Sequence, residues 1–240
     1  MLKKHLSLFA LALAAVSAAQ ASTFGVSPIR VDLAGSVRTS AVVVTNNAKA
    51  DLPLKVDAVS WTMDEAGKEI YEPSSKLLFF PREMTIPPGE SRTIRVGLEP
   101  GAAPTQEDTY RLFIRQQPTA ASAGSSPTQV AVVVNFGVPV FVRQPGVKPQ
   151  LQGKLVTAEG KLVLQLENVG SAHTRLESVG FKGETEPLGI GSPYVLRGLT
   201  RTIPLSVSPA DCARGAAQTL VIEHNDAKLE LDADLSAVCK

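Results

Sequence analysis

The feature that most constrains this chain is its rhythm. Short apolar or alternating runs follow one another, each closed by turn residues. After the first residues no stretch holds a 3.6-residue period long enough for a large helix. In the first half the runs are Phe24–Leu33, Ala41–Thr45, Leu52–Trp61, Leu77–Phe80, Thr93–Leu98, Tyr110–Ile114 and Val130–Val142. Asn46-Asn47, Glu65-Ala66-Gly67 and Pro87-Pro88-Gly89 separate them with turn chemistry. Seven strands in roughly 120 residues is the count of an immunoglobulin-like sandwich. Tyr110, Leu112 and Ile114 alternate onto one face, which is read as core. Trp61, the only tryptophan, is read as core packing or edge cover rather than as a ligand platform.

The stiff polar run Gln144-Pro145-Gly146-Val147-Lys148-Pro149 breaks the pattern, and a second set of strands follows. They are Leu151–Val156, Lys161–Glu167, Thr174–Phe181, Tyr194–Leu196, Thr202–Val207, Gln218–Glu223 and Lys228–Leu235. Leu162, Leu164 and Leu166 share one face. The expected fold class is therefore all-β, two immunoglobulin-like β-sandwiches in tandem, over residues 22–145 and 149–240.

Lys3 and Lys4 precede an apolar run from Leu6 to Ala19, and Ala19-Gln20-Ala21 is a small-x-small cleavage site. Residues 1–21 read as a secretory signal peptide. The alternative, an uncleaved membrane anchor, asks for about 20 apolar residues, and this run is short of that. Two cysteines in an exported chain, Cys212 and Cys239, point to one intrachain disulfide. Two free thiols or a metal pair are the alternatives, and no histidine or base stands at a useful spacing to support either.

The formal net charge is +1, which gives no electrostatic reason to expect binding to nucleic acid or to acidic membrane. Three scattered histidines and two cysteines make a zinc or iron–sulfur centre a poor expectation, and no cofactor is expected. No Gly-x-Ser-x-Gly, His-Glu-x-x-His or phosphate loop appears, so the chain is read as not an enzyme. His173 reads as a turn or surface residue, and His224 as the residue before an Asn225-Asp226 hairpin turn. Asp211 and Glu223 show no evident partners.

One run is unusual. Val130-Ala131-Val132-Val133-Val134 is apolar on both faces and continues through Phe136 to Val142. A strand covered by one layer needs only one apolar face. Two readings stay open: a central strand of a well-filled sandwich, or an edge strand whose second face is offered to a partner. Edges of this kind are normally blunted because they invite pairing, so an unblunted one makes sense where pairing is the function.

Several pieces together resemble the PapD-like periplasmic chaperones of chaperone–usher pilus assembly. They are Ser27-Pro28-Ile29-Arg30-Val31, Val43-Val44-Thr45-Asn46-Asn47, Phe80-Pro81-Arg82-Glu83-Met84-Thr85-Ile86-Pro87-Pro88-Gly89, Arg92-Thr93-Ile94-Arg95-Val96, Tyr110-Arg111-Leu112-Phe113-Ile114, Val138-Pro139-Val140-Phe141-Val142 and Leu164-Gln165-Leu166-Glu167-Asn168-Val169-Gly170. Pro139 and the late cysteine pair are similar to the archaic branch that builds spore-coat-U-like pili. The resemblance implies a periplasmic chaperone that caps pilus subunits by lending an edge strand and delivers them to an outer-membrane usher. Its partners would be incomplete β-sandwich pilins and the usher, and the free chain would be a monomer or a weak self-capping dimer. The competing reading is an exported two-domain structural or adhesive protein of a surface assembly.

By the same resemblance, Val130, Val132, Val134 and Phe136 fill the subunit groove, while Ala131 and Val133 pack into the chaperone's own core. The residues alone leave this parity open, since both sets are apolar. Arg30 is implied as the anchor of the subunit's terminal carboxylate, and Arg143 as a contact across the domain interface. Better-known members carry a lysine where this chain has Pro139. Either Arg30 acts alone, or Arg111, Arg115 or Arg95 supplies a second base.

Overall fold

The computed structural model describes residues 24–101, 104–118, 133–184 and 186–239. The leader and the expected groove residues Val130 and Val132 lie outside them, as does Ala131.

The N-terminal sandwich contains β1 (Phe24–Ser27), β2 (Val31–Ala34), β3 (Thr39–Asn46), β4 (Leu52–Met63), β5 (Glu69–Pro73), β6 (Leu77–Phe80), β7 (Glu83–Ile86), β8 (Ser91–Leu98), β9 (Asp108–Gln116) and β10 (Asn135–Arg143). One sheet runs β1-β3-β8-β6; the other runs β2-β10-β9-β4-β5, with β7 also on β4. Val42, Val44, Ile94 and Val96 from the first sheet meet Leu112, Ile114, Val138 and Val140 from the second, all nearly or fully buried. Alternation at period two produces this, so each strand's other face is left for solvent or a partner.

The expected strand Phe24–Leu33 is two strands. β1 pairs antiparallel with β3 in one sheet, and β2 pairs parallel with β10 in the other. Pro28 has no N–H to offer a ladder, and the chain changes sheets there. β5 and β7 were not expected. β5 is exposed along its whole length, so no apolar alternation marks it; its pairing with β4 alone defines it.

The C-terminal sandwich contains β11 (Leu151–Ala158), β12 (Lys161–Asn168), β13 (Thr174–Phe181), β14 (Tyr194–Val195), β15 (Thr200–Leu205), β16 (Ala217–His224) and β17 (Ala227–Asp234). Its sheets run β11-β12-β15 and β14-β13-β16-β17. Leu162, Leu164 and Leu166 lie in its core with Leu176, Leu220 and Ile222. Among the described residues a single short helix, α1 (Pro209–Ala213), is capped by Ser208 and Asp211 reciprocally. Asp211 thus has a structural task that spacing did not reveal, and Glu223 likewise bonds Ser178 and Lys228.

Two buried asparagines end equivalent strands. Asn46 Nδ2 donates to the carbonyls of Ala50 and Ile86, and its Oδ1 accepts from Ala48 N. Asn168 Nδ2 donates to Ala172 and Val195, and its Oδ1 accepts from Gln150 N and Gly170 N. Each satisfies loop backbone that would otherwise be buried without partners.

Cys212 and Cys239 form a disulfide, with Cα atoms 5.4 Å apart. It ties α1 to the segment after β17. Closing a loop of about 27 residues should stabilise the second sandwich by about 3 kcal/mol. Replacing both cysteines by serine is expected to lower the unfolding free energy of this sandwich by that amount, a shift of the urea midpoint by about 1–3 M. The urea midpoint of the first sandwich should be unchanged; an equal fall in both would show that the bond supports the whole chain instead.

Candidate functional site: a half-paired strand beside an arginine-lined cleft

β10 is flanked unequally. On one side β9 pairs with it from Asn135 to Val142. On the other side β2 pairs only from Val140 to Arg143. Among the described residues, Asn135 to Pro139 therefore has one edge without a strand.

Along β10, Val138, Val140 and Val142 point into the N-terminal core, and the half-buried Val134 and Phe136 pack against the same core. Phe136 meets Phe24 edge-on, with ring centroids 5.0 Å apart. Val133, expected to face that core, is 48% exposed. The described residues thus reverse the expected placement of Val133. The physical reason is that Val134 and Phe136 keep period-two alternation with Val138 to Val142, without a bulge in the ladder to β9.

The opposite face of β10 carries Pro139 and Phe141 toward the second sandwich. Phe141 is fully buried in an apolar cluster with Trp61, Met63 and Leu196. Trp61 is thus interface core. Its ring lies edge-on to Tyr194 at 5.6 Å.

Arg30 immediately precedes β2, whose first residue pairs with Val140, so it stands where the free edge ends. Its guanidinium holds Asp32 through Nε at 2.7 Å and a second nitrogen at 3.2 Å. It also lies 5.5 Å from the centre of the Phe141 ring. The Asp32 contact raises the Arg30 pKa above its ordinary value, so it is a permanent cation here. Its side chain remains 40% exposed.

Arg143 bridges Asp32 and Glu107, each at 3.3 Å. Glu107 is buried and also receives the backbone N–H of His173 at 2.7 Å and its Nδ1 at 2.8 Å. His173 corrects the surface expectation: it is 2% exposed and stacks on Phe141 with centroids 3.5 Å apart. A satisfied carboxylate and an aromatic face offset its burial. Neither partner is near His173 in sequence, which is why its neighbours in the chain gave no sign of this.

The other candidate bases are dispersed. Arg111 lies directly across from Pro139 on β9. It pairs with Glu69, stacks over Trp61 at 3.8 Å and donates to the Gly137 carbonyl at 3.2 Å. Beside it, Tyr71 bonds Glu69, and burial with that contact pushes the phenol up to about 12. Arg115 lies across from Asn135, pairs with Asp57 and sits over Phe113. That is six residues along the ladder from the position of Phe141, on the order of 20 Å. Arg95 is on the other sheet, exposed and opposite Phe80. The structure therefore brings Arg30 and Arg111 to either side of Pro139 and leaves Arg115 and Arg95 apart from them.

The tip of the β4–β5 hairpin holds the second sandwich. Thr202 N donates to Glu65 O at 2.8 Å, and Arg201 reaches Met63 Sδ at 3.2 Å. Gly67 has φ +84°, and a Cβ built there would overlap the Arg201 guanidinium. Gly67→Ala is expected to cost about 1–2 kcal/mol from left-handed strain and displaced packing. Limited proteolysis near 64–68 should accelerate, while the N-terminal core remains protected; unchanged cleavage would show that the tip does not hold the interface.

Comparison with known proteins places this geometry. The profile described as "Pili and flagellar-assembly chaperone, PapD N-terminal domain" matches residues 23–148. No relative was matched among curated proteins. Among solved structures, the CsuC-CsuE chaperone-tip adhesion subunit pre-assembly complex from archaic chaperone-usher Csu pili of Acinetobacter baumannii is similar at TM-score 0.66 and 21% identity. That match covers 88% of this chain and 98% of the other. The Salmonella enterica SafA pilin–SafB chaperone complex is similar at TM-score 0.61 and 15% identity, over 91% and 99% of the two chains. The Pseudomonas aeruginosa CupB2 chaperone gives TM-score 0.54 and 17% identity, over 88% and 100%. These likenesses share the two-sandwich fold. With more than half of its length inside the matched profile, the chain belongs to the pili and flagellar-assembly chaperone family.

Proposed function

We propose that this protein is a periplasmic chaperone for pilus subunits, working through an N-terminal unit (22–145) that captures the subunit and a C-terminal unit (149–240) that closes the cleft. The observation that carries this reading is the half-paired β10. Its free edge from Asn135 to Pro139 offers main-chain groups to an incoming strand, a form of strand addition for which chaperone–pilin pairs are the standard example. Structures of similar fold hold a chaperone with a tip adhesion subunit and with a pilin. The leader and the disulfide agree with an exported compartment.

The direction of the incoming strand follows from charge. A strand added beside Asn135 to Pro139 ends where β2 begins, at Arg30. Running parallel to β10, as β2 does, it brings its C-terminal carboxylate to Arg30. Running antiparallel, it would bring a cationic N-terminus to the same guanidinium. Arg30 therefore selects the parallel sense and marks the end of the register, which repeating backbone hydrogen bonds cannot do. Arg111 stands close enough to the same level to share the task. Arg115, the other candidate anchor, serves better at the far end of the subunit strand.

Val130, Val132, Val134 and Phe136 would present their side chains to the subunit. Val134 and Phe136 continue the line of Val138, Val140 and Val142, so subunit core and chaperone core would become one layer. Each fully buried side chain contributes roughly 1.5–3 kcal/mol. Delivery of the loaded subunit to an outer-membrane usher completes the role.

The test is co-expression with pilus subunits from neighbouring genes. A one-to-one complex is expected, with new hydrogen-exchange protection at the 135–138 amides that face away from β9. A complex without that protection would refute strand addition. Self-polymerisation without any captured subunit would favour a structural or adhesive protein.

A further inference from the structure

We infer that His173, on the second sandwich, positions Arg30 for carboxylate binding through a relay of shared ion pairs; this deepens the capture reading above and rests on it. The relay is Arg30–Asp32–Arg143–Glu107–His173. Its links are 2.7 Å from Arg30 to Asp32, 3.3 Å from Asp32 to Arg143, 3.3 Å from Arg143 to Glu107 and 2.8 Å from Glu107 to His173. Arg143 is the divided member. One of its nitrogens serves Asp32 and the other serves Glu107.

Division matters because Asp32 is the competitor of any ligand at Arg30. A guanidinium that already holds one carboxylate closely gives less to a second. Arg143 draws part of the Asp32 charge away from Arg30. Arg143 can do so only while Glu107 is satisfied by other donors, and those donors come from His173. A carboxylate accepts only, so the Nδ1 of His173 carries the proton in this contact. Glu107 has no exposed side-chain surface, so water does not replace a lost donor.

Without the imidazole, Glu107 keeps only the His173-position backbone N–H and Arg143. The buried carboxylate then takes Arg143 more fully, and Asp32 turns its whole charge onto Arg30. Carboxylate recognition at the edge of the first sandwich is thereby a property of both sandwiches. A chain lacking the second would keep its free edge and lose the discrimination of the terminus.

The experiment uses the full chain and two synthetic probes. One is a labelled peptide of about 12 residues, alternating Val and Thr, with a free C-terminal carboxylate; the other is its C-terminal amide. The readout is the ratio of the two dissociation constants. Wild type is expected to prefer the free acid by about tenfold or more. His173→Leu should lower that preference to about twofold while leaving affinity for the amide unchanged. His173→Gln, which keeps a side-chain donor for Glu107, should retain most of it. In an Asp32→Asn background, where the competitor is neutral, His173→Leu should have no effect on the ratio.

An equal fall in both backgrounds, or a parallel fall in amide affinity, would overturn the relay and leave His173 as packing. If His173→Leu does not fold, the decision passes to His173→Gln and to Asp32→Asn alone. Asp32→Asn must then strengthen free-acid binding selectively, and failure to do so overturns the proposal. If wild type itself binds both probes equally, the carboxylate anchor fails and the relay falls with it. A ratio that exists but ignores His173 refutes the relay only.

Discussion

Arg30→Ala is expected to fold with the stability of the wild type and to lose about 4 kcal/mol of complex stability, close to a thousandfold in affinity. The side chain is 40% exposed and sits outside both cores, so truncation removes little packing beyond its contact with the Phe141 ring. Asp32 keeps Arg143 as a partner after the change, so no carboxylate is stranded. In the complex the contact would lie in the cleft between sandwiches, where a charge-assisted pair counts for more than on an open surface. Calorimetry with an intact pilin and with a C-terminally amidated pilin is the measurement. The variant should bind both alike. A variant that still prefers the intact pilin would move the anchor to Arg111, and Arg111→Ala would then abolish the preference.

Val134→Glu is the second large effect, with Val132→Glu beside it. A carboxylate turned into a subunit groove has no counter-ion there and would cost several kcal/mol through desolvation, on the order of 4. In the free chain Val134 is only half-buried at the rim of the core, so glutamate can reach water before a subunit arrives. Folding by circular dichroism should be retained and capture lost. Val133→Glu is the control. Val133 is 48% exposed on the other face, and its replacement should leave capture near normal. Capture lost in Val133→Glu but kept in Val134→Glu would reverse the parity again.

Strand identity in the interior was legible because burial imposes alternation, as at Tyr110, Leu112 and Ile114 or Leu162, Leu164 and Leu166. β5 was not, since an edge strand exposed on both faces carries no such imprint. Arg30 stood out through a short motif, and Cys212 and Cys239 through export. His173 and Glu107 did not, because their meaning lies in a contact across 66 positions of sequence. Nor could the residues alone choose a face for a strand that is apolar on both. The asparagines at 46 and 168 could be read as turn formers, but not as the buried posts around which each loop is hung.

The short reach of β2 has a consequence for the clients. Beside Val140 to Arg143 the lane is already taken, so it is a dead end. If Arg30 holds the terminal carboxylate as proposed, an incoming chain is measured from its tail, and its length upstream of the groove-facing residues is free to vary. Evolution can therefore lengthen or diversify a client at its beginning at little cost, whereas even one residue added at its end must either collide with β2 or shift every groove position onto the wrong face. A purification tag belongs on the front of such a subunit, never on the back.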